Sequence, residues 1–409
     1  MNKNLQLSTR INTIPASPIR KLVPFAQKAK SEGVTVYHLN IGDPDIKTPQ
    51  VMLDVLKNWT TNPISYALSQ GDPEFIKALV WYYQTKLGYS FITDKQIQVT
   101  SGGSEAIGMA LFATCNPGDE VLVFEPFYAN YNSYAALYEV KLIPIPTDEK
   151  TGFHLPNQKT IASFITPKTK GILFCNPSNP TGTVYTEKEV RMLVDIAKEH
   201  QLFLYSDEVY REFVYDGQTH VSLLSYMQEI PNQAVVLDSM SKRYSLCGAR
   251  LGVLVSLNTE IIAGALRIAQ GRLSSGFIDQ KMAAKLTEVP DSYTQEVQAE
   301  YAKRRDVLFE GLKTIPGVSI PKPEGAFYSI VTLPVKDTDD FCQWLLTDFR
   351  DPSTSLRAET VMLAPASGFY GHQEKGKNKV RIAYVLEIPK LKRCIELLKK
   401  ALTEYAQKG

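Results

Sequence analysis

The stretch Ser239-Met240-Ser241-Lys242-Arg243-Tyr244-Ser245-Leu246-Cys247-Gly248-Ala249-Arg250 decides how the rest of the chain is read. It lies between two short apolar runs of strand character, Ala234 to Leu237 and Leu251 to Val255. It holds one lysine with two hydroxyls upstream, Ser239 and Ser241, and the arginine Arg250 downstream. Such a group suits a phosphorylated aldehyde: the amine forms a Schiff base, while Ser239, Ser241 and Arg250 meet the phosphate. Most lysines are solvated surface charges. Lys242 instead follows an apolar strand between small hydroxyl residues, which suits an amine that must be neutral part of the time and can shuttle a proton to and from carbon.

Upstream, the runs Ile97 to Thr100, Val121 to Phe124, Val140 to Ile145, Gly171 to Cys175 and Leu202 to Tyr205 read as strands separated by helices. The helix from Thr186 to His200 opens on a capping box, Thr186 with Glu189. This alternation predicts an α/β fold with a mostly parallel central sheet covered by helices. Open sheets of that kind place ligands beyond the carboxyl ends of their strands, and further polar stations fall there. Gly102, Gly103 and Ser104 sit between a strand and a helix, where backbone N–H groups can cradle a phosphate; glycines in such turns also serve geometry alone. Asn179, within Asn176-Pro177-Ser178-Asn179-Pro180-Thr181-Gly182, is either a ring-oxygen ligand or part of a rigid turn. Asp207 can pair with a protonated pyridine nitrogen, or it can cap a helix; Tyr210 can donate to the ring's phenolic oxygen. Arg381, in Lys379-Val380-Arg381-Ile382, suits a bidentate clamp on an α-carboxylate, although an arginine read alone is more often a surface ion pair.

Composition bounds the function class. The 409 residues suffice for more than one domain, with 45 Lys+Arg against 43 Asp+Glu and no basic run, so a nucleic-acid partner is not expected. Five scattered cysteines and five dispersed histidines argue against a disulfide framework or a metal site. No long apolar segment or hydrophobic leader is evident, which predicts a cytoplasmic protein without a membrane partner. Beyond about residue 285 the texture changes. A long charged helix (Ser292 to Lys313), short strand segments near Gly325 to Ile330, Val361 to Leu363 and Val380 to Leu386, and a last helix from Leu391 to Tyr405 suggest a smaller α+β domain. The expected division is 1–45 as N-terminal arm and part of the small domain, 46–285 as the large domain, and 286–409 as the small C-terminal domain. A short helix is expected from Pro18 to Lys30 and another from Asp72 to Lys86.

Taken together, Asn179-Pro180-Thr181-Gly182, Asp207 with Tyr210, and Ser239-x-Ser241-Lys242 with Gly248-x-Arg250 resemble the class I aminotransferases of the aspartate aminotransferase superfamily, fold type I of the pyridoxal-phosphate enzymes. The resemblance extends over nearly the whole chain. It implies pyridoxal 5'-phosphate as cofactor, with Lys242 as the Schiff-base lysine, Asp207 as pyridinium partner, Asn179 and Tyr210 on the ring oxygen, and Gly103, Ser104, Ser239, Ser241 and Arg250 around the phosphate. It further implies Tyr128 stacked on the ring, Gly42 and Arg381 at the substrate α-carboxylate, and Tyr66 reaching the neighbouring subunit's phosphate in a homodimer with shared sites. The implied reaction is ping-pong transfer of an L-amino acid's amino group, from aspartate or a broader range of donors, to 2-oxoglutarate. Arg272 is a candidate for a distal carboxylate, although its segment departs from the arginine-bearing pattern of the animal and enteric aspartate enzymes. A carbon–sulfur β-lyase or a cyclopropane amino-acid synthase on the same frame is the alternative, and an aminotransferase-like sensor without catalysis is a more remote one.

Overall fold

The computed structural model describes residues 5–351 and 358–407; residues 1–4, part of the opening read above for an apolar leader, lie outside the described residues. Its strands are β1 (Thr35–His38), β2 (Ile97–Thr100), β3 (Glu120–Glu125), β4 (Lys141–Pro146), β5 (Thr169–Cys175), β6 (Phe203–Asp207), β7 (Ala234–Ser239), β8 (Gly252–Val255), β9 (Tyr328–Thr332), β10 (Glu359–Met362), β11 (Ala364–Pro365) and β12 (Lys379–Ala383).

A seven-stranded sheet has the order β2-β8-β7-β6-β5-β3-β4. The pairings from β7 through β4 are parallel, whereas both pairings of β8 are antiparallel. The β7–β8 connection holds only a four-residue helix, Met240–Arg243, and a single 3₁₀ turn, Cys247–Ala249, so the chain doubles back instead of crossing over. Successive side chains leave opposite faces of the sheet. Val121 and Val123 pack with Ala106, Ile107 and Ala265 on one side; Leu122 and Phe124 pack with Phe75, Val190 and Leu193 on the other. Burial on both faces explains why the inner strands read as continuous apolar runs.

The second core gathers around the antiparallel sheet β11-β12-β9 and the helices Asp291–Lys313, Thr338–Thr347 and Ile388–Ala406. Strand β1 joins it by pairing in parallel with β10, Thr35 opposite Glu359. The fold is therefore the expected α/β arrangement, a large mixed, mainly parallel sheet covered by helices beside a smaller α+β region.

Local differences have physical causes. The helix expected from Pro18 begins at Val23 and ends at Ser31, because Pro24 lacks an N–H and fits only in a first turn. The helix read from Asp72 to Lys86 is α-helical from Pro73 to Trp81, with Asp72 as its cap, and continues as a π-turn over Tyr82–Lys86. Strands β6 and β7 each extend two residues past their apolar runs, to Asp207 and Ser239.

Candidate active site

Those extensions carry polar side chains to the carboxyl edge of the sheet, where a cavity of about 640 Å³ opens. Its lining includes Gly42, Gly103, Ser104, Tyr128, Asn179, Asp207, Tyr210, Ser239, Ser241, Lys242, Arg250 and Arg381. Of the residues singled out in the sequence, Tyr66, Gly102 and Arg272 do not line this chain's own cavity, and Tyr66 is 79% exposed.

One side of the cavity is built for an anion. Gly102 (φ +84°) caps the helix Gly103–Thr114, whose leading amides have no intrahelical acceptor. A Cβ at Gly102 would fall 2.7 Å from Arg250 Nη2, so the glycine lets the guanidinium close on the helix start. Across the doubled-back connection, the Ser241 N–H donates to Ser239 Oγ at 3.1 Å, and the two hydroxyl oxygens are 2.8 Å apart. Lys242 Nζ donates to the Gly42 carbonyl at 2.7 Å, with Cys247 Sγ at 3.5 Å.

The helix bearing Lys242 is too short to be stable alone and is fixed by its neighbour. Arg243 is buried and donates to both Asp238 oxygens, at 2.9 and 3.0 Å, while Tyr83 Oη donates to Asp238 at 2.9 Å. Glu212 accepts from Arg243 Nε and from Tyr82. The flanking cations hold the Asp238 carboxyl below its ordinary range despite its burial.

At the end of β6, Asp207 Oδ2 accepts from Tyr131 Oη at 2.7 Å, and Oδ1 has no hydrogen-bond partner among the described residues. Burial raises this carboxyl from 3.8 to about 6, against the opposing effect of the Tyr131 hydrogen bond. Asn179 Nδ2 donates to Tyr210 Oη at 3.3 Å, and Tyr210 Oη lies 3.1 Å from Tyr328 Oη. Tyr128 Oη accepts from Asn130 Nδ2 at 2.9 Å.

Arg381 is 1% exposed and forms no carboxylate pair among the described residues, which excludes the surface ion-pair reading. It donates to Asn179 Oδ1 at 3.1 Å and to the Asn40 carbonyl at 2.6 Å, with Nε left over. The Tyr328 and Phe369 rings lie 4.4 and 4.9 Å from its guanidinium carbon. A Cβ at Gly42 would fall 1.8 Å from Tyr328 Oη, so this wall requires glycine.

Arg272 is engaged elsewhere: Nε donates to Glu105 at 2.7 Å and Nη2 to the Val99 carbonyl at 2.9 Å. The sequence reading missed Tyr131, Asn40 and Tyr328. Tyr131 follows Tyr128 by three residues, across a turn in which its N–H donates to the Tyr128 carbonyl at 2.9 Å, a spacing that could have flagged it. Nothing local distinguishes Asn40 or Tyr328 from ordinary core residues.

The sequence profile of the family "Aminotransferase class I and II" matches residues 34–397. The chain belongs to that family. It is 31% identical over 360 residues to an aspartate aminotransferase of Rhizobium meliloti (strain 1021), covering 84% of this chain and 87% of that one. An aromatic-amino-acid aminotransferase 2 of Thermococcus litoralis is 29% identical, with 98% and 99% covered. An alanine aminotransferase structure from Pyrococcus furiosus superposes with a TM-score of 0.85 at 29% identity, with 98% and 100% covered. This aminotransferase has the pyridoxal-phosphate-dependent fold type I of the aspartate aminotransferase superfamily, and it acts on an amino acid and a 2-oxo acid. The cavity suits that cofactor: a glycine cradle beside Arg250, an amine, and an unpartnered buried carboxylate oxygen open onto one space. Among the described residues no helix is long and apolar enough to cross a membrane.

Proposed function

We propose that this aminotransferase transfers the amino group of an L-amino acid, aspartate among its donors, to 2-oxoglutarate, with Lys242 as the residue that moves the proton. The observation that carries the reading is the shared cavity of Lys242 Nζ, the unpartnered Asp207 Oδ1 and the buried Arg381 fork. When bound, pyridoxal phosphate supplies an aldehyde for imine exchange and a ring that accepts the electron pair left on carbon.

The chain's residues divide the remaining work. Gly103, Ser104, Ser239, Ser241 and Arg250 hold the phosphate through first-turn amides, hydroxyls and one guanidinium. Asp207 Oδ1 accepts from the protonated ring nitrogen, which returns its carboxyl to the ionised form. Tyr131 keeps the other carboxylate oxygen occupied and so fixes which one faces the ring. Asn179 and Tyr210 hold the ring oxygen, and Tyr128 covers one face of the ring. Arg381 takes the substrate α-carboxylate while Asn179 and Asn40 hold the guanidinium in place; Gly42 keeps the wall beside it open. Lys242 Nζ, released to the Gly42 carbonyl, takes the proton from the substrate α-carbon and returns one on the other side of the reacting system.

On this reading residues 46–285 carry the coenzyme site, while 1–45 and 286–409 carry the carboxylate clamp. Tyr66 acts on the site of a second copy in a homodimer; the exposure of Ile64, Tyr66 and Leu68, at 58%, 79% and 64%, supports that role. The test is incubation of the holoenzyme with L-amino acids and 2-oxoglutarate. Glutamate in step with donor consumption is expected. Pyruvate and ammonia released without glutamate would mean elimination instead.

A further inference from the structure

The cavity carries one guanidinium for which the reaction described above has no use. Arg20 lines it from the turn that precedes the helix Val23–Ser31. The residue is exposed, and its side chain has no hydrogen-bond or ion-pair partner among the described residues. Arg272, by contrast, is tied to Glu105 and the Val99 carbonyl, and Arg381 to Asn179 and Asn40.

The backbone beneath Arg20 is nevertheless fixed with respect to Arg381. Asn40 joins the two: its carbonyl accepts from Arg381 Nη2 at 2.6 Å, and its Nδ2 donates to the Ile19 carbonyl at 2.9 Å. The turn itself is closed by the N–H groups of Arg20 and Lys21, which donate to the Ser17 carbonyl at 3.1 and 3.0 Å. One asparagine therefore sets both the clamp for an α-carboxylate and the root of a second, exposed guanidinium, and it does so within one cavity.

The charges point the same way. The lining holds the cations Arg20, Lys242, Arg250 and Arg381 against the acids Asp43 and Asp207. On the reading proposed above, Arg250 meets the phosphate, Arg381 meets the α-carboxylate, and Lys242 works on the α-carbon. Arg20 is the cation left without an anion, and the Ser17 hydroxyl and the Asn130 amide line the same space. A planar fork with donors to spare matches a carboxylate bidentately.

We infer that Arg20 pairs with the side-chain carboxylate of a dicarboxylic amino acid or oxo acid and so sets the preference of this enzyme for that class. The inference rests on the transferase reading and deepens it. Binding such a substrate draws the Arg20 side chain out of solvent, while the turn that Asn40 anchors stays in place.

The experiment measures half-reaction kcat/KM of the holoenzyme with aspartate, glutamate and alanine for the parent, Arg20→Met and Arg20→Asp. In the parent the dicarboxylic donors lead. In Arg20→Met the aspartate-to-alanine ratio falls about 10- to 100-fold, the range expected when one charge-assisted pair is lost. In Arg20→Asp it falls further, and a cationic donor such as ornithine gains relative to alanine. A ratio within threefold of the parent in both variants, or a parent that takes alanine as well as aspartate, overturns the assignment while leaving amino transfer intact. A parent that converts none of these donors overturns the transferase reading itself.

Discussion

Asp207→Asn should stabilise the coenzyme-free protein while disabling it. The Asp207 side chain is buried, at 4% exposure, and its carboxyl is raised from 3.8 to about 6 with one oxygen unpartnered. Each pH unit of difference between folded and unfolded states corresponds to 1.36 kcal/mol, so ionising this group in the folded apoprotein costs about 3 kcal/mol. The sign follows from proton binding. Between pH 3.8 and about 6 the folded state holds the proton and the unfolded state has released it. The cost is therefore complete above pH 6 and vanishes as the pH falls toward 4. Asparagine carries no charge, and its carbonyl can still accept from Tyr131 Oη. Urea unfolding of both apoproteins at pH 4.5 and pH 8 should show Asp207→Asn more stable by up to ~3 kcal/mol at pH 8 and by only about 1 kcal/mol at the lower pH. With coenzyme added, the order should reverse as the ring nitrogen loses its anionic partner, and turnover should fall by at least about a hundredfold. A variant no more stable than the parent at pH 8, or an advantage that does not shrink on acidification, would refute the claim that burial of this carboxylate is a cost the cofactor relieves.

Lys242→Ala should lose both turnover and borohydride-reducible attachment of the coenzyme; a reducible linkage on another lysine would contradict its role. Arg243→Met leaves Asp238 buried beside a weakened set of partners and should destabilise the protein by roughly 3 kcal/mol, whereas the double change with Asp238→Leu should recover most of that loss, as denaturant midpoints would show. Gly42→Ala places a methyl 1.8 Å from Tyr328 Oη; a loss of about 1–3 kcal/mol in thermal unfolding and a raised KM for every amino acid are expected, because the displaced ring lies against Arg381.

Much of this architecture is visible in the chain because it depends on periodicity and local chemistry. The inner strands are apolar on both faces, and Thr186 with Glu189 forms the capping box that the spacing predicts. Lys242, Asp207 and Asn179 are legible because each lies just beyond an apolar run, at the sheet edge where ligands bind. What stays hidden depends on long-range approach. Asn40 becomes important only when Arg381, far along the chain, donates to its carbonyl. Tyr328 looks like one strand aromatic among many until Gly42 meets its hydroxyl. Arg272 looked available because Glu105, which engages it, lies on a different helix. Pro18 reads as the start of a helix that begins five residues later, with Pro24 in its first turn.

The parallel pairing of β1 with β10 joins opposite ends of the polypeptide, and this has a consequence during synthesis. At about 5–20 residues per second, Thr35 leaves the ribosome on the order of 15–65 s before Glu359 does. In the last part of that interval, once β8 has emerged, the nascent chain can assemble the seven-stranded sheet, yet β1 has no partner and Asn40 has no arginine to receive. The grip on substrate is thus the last function to mature, and a product truncated before Arg381 would retain the coenzyme cradle without the means to hold an amino acid.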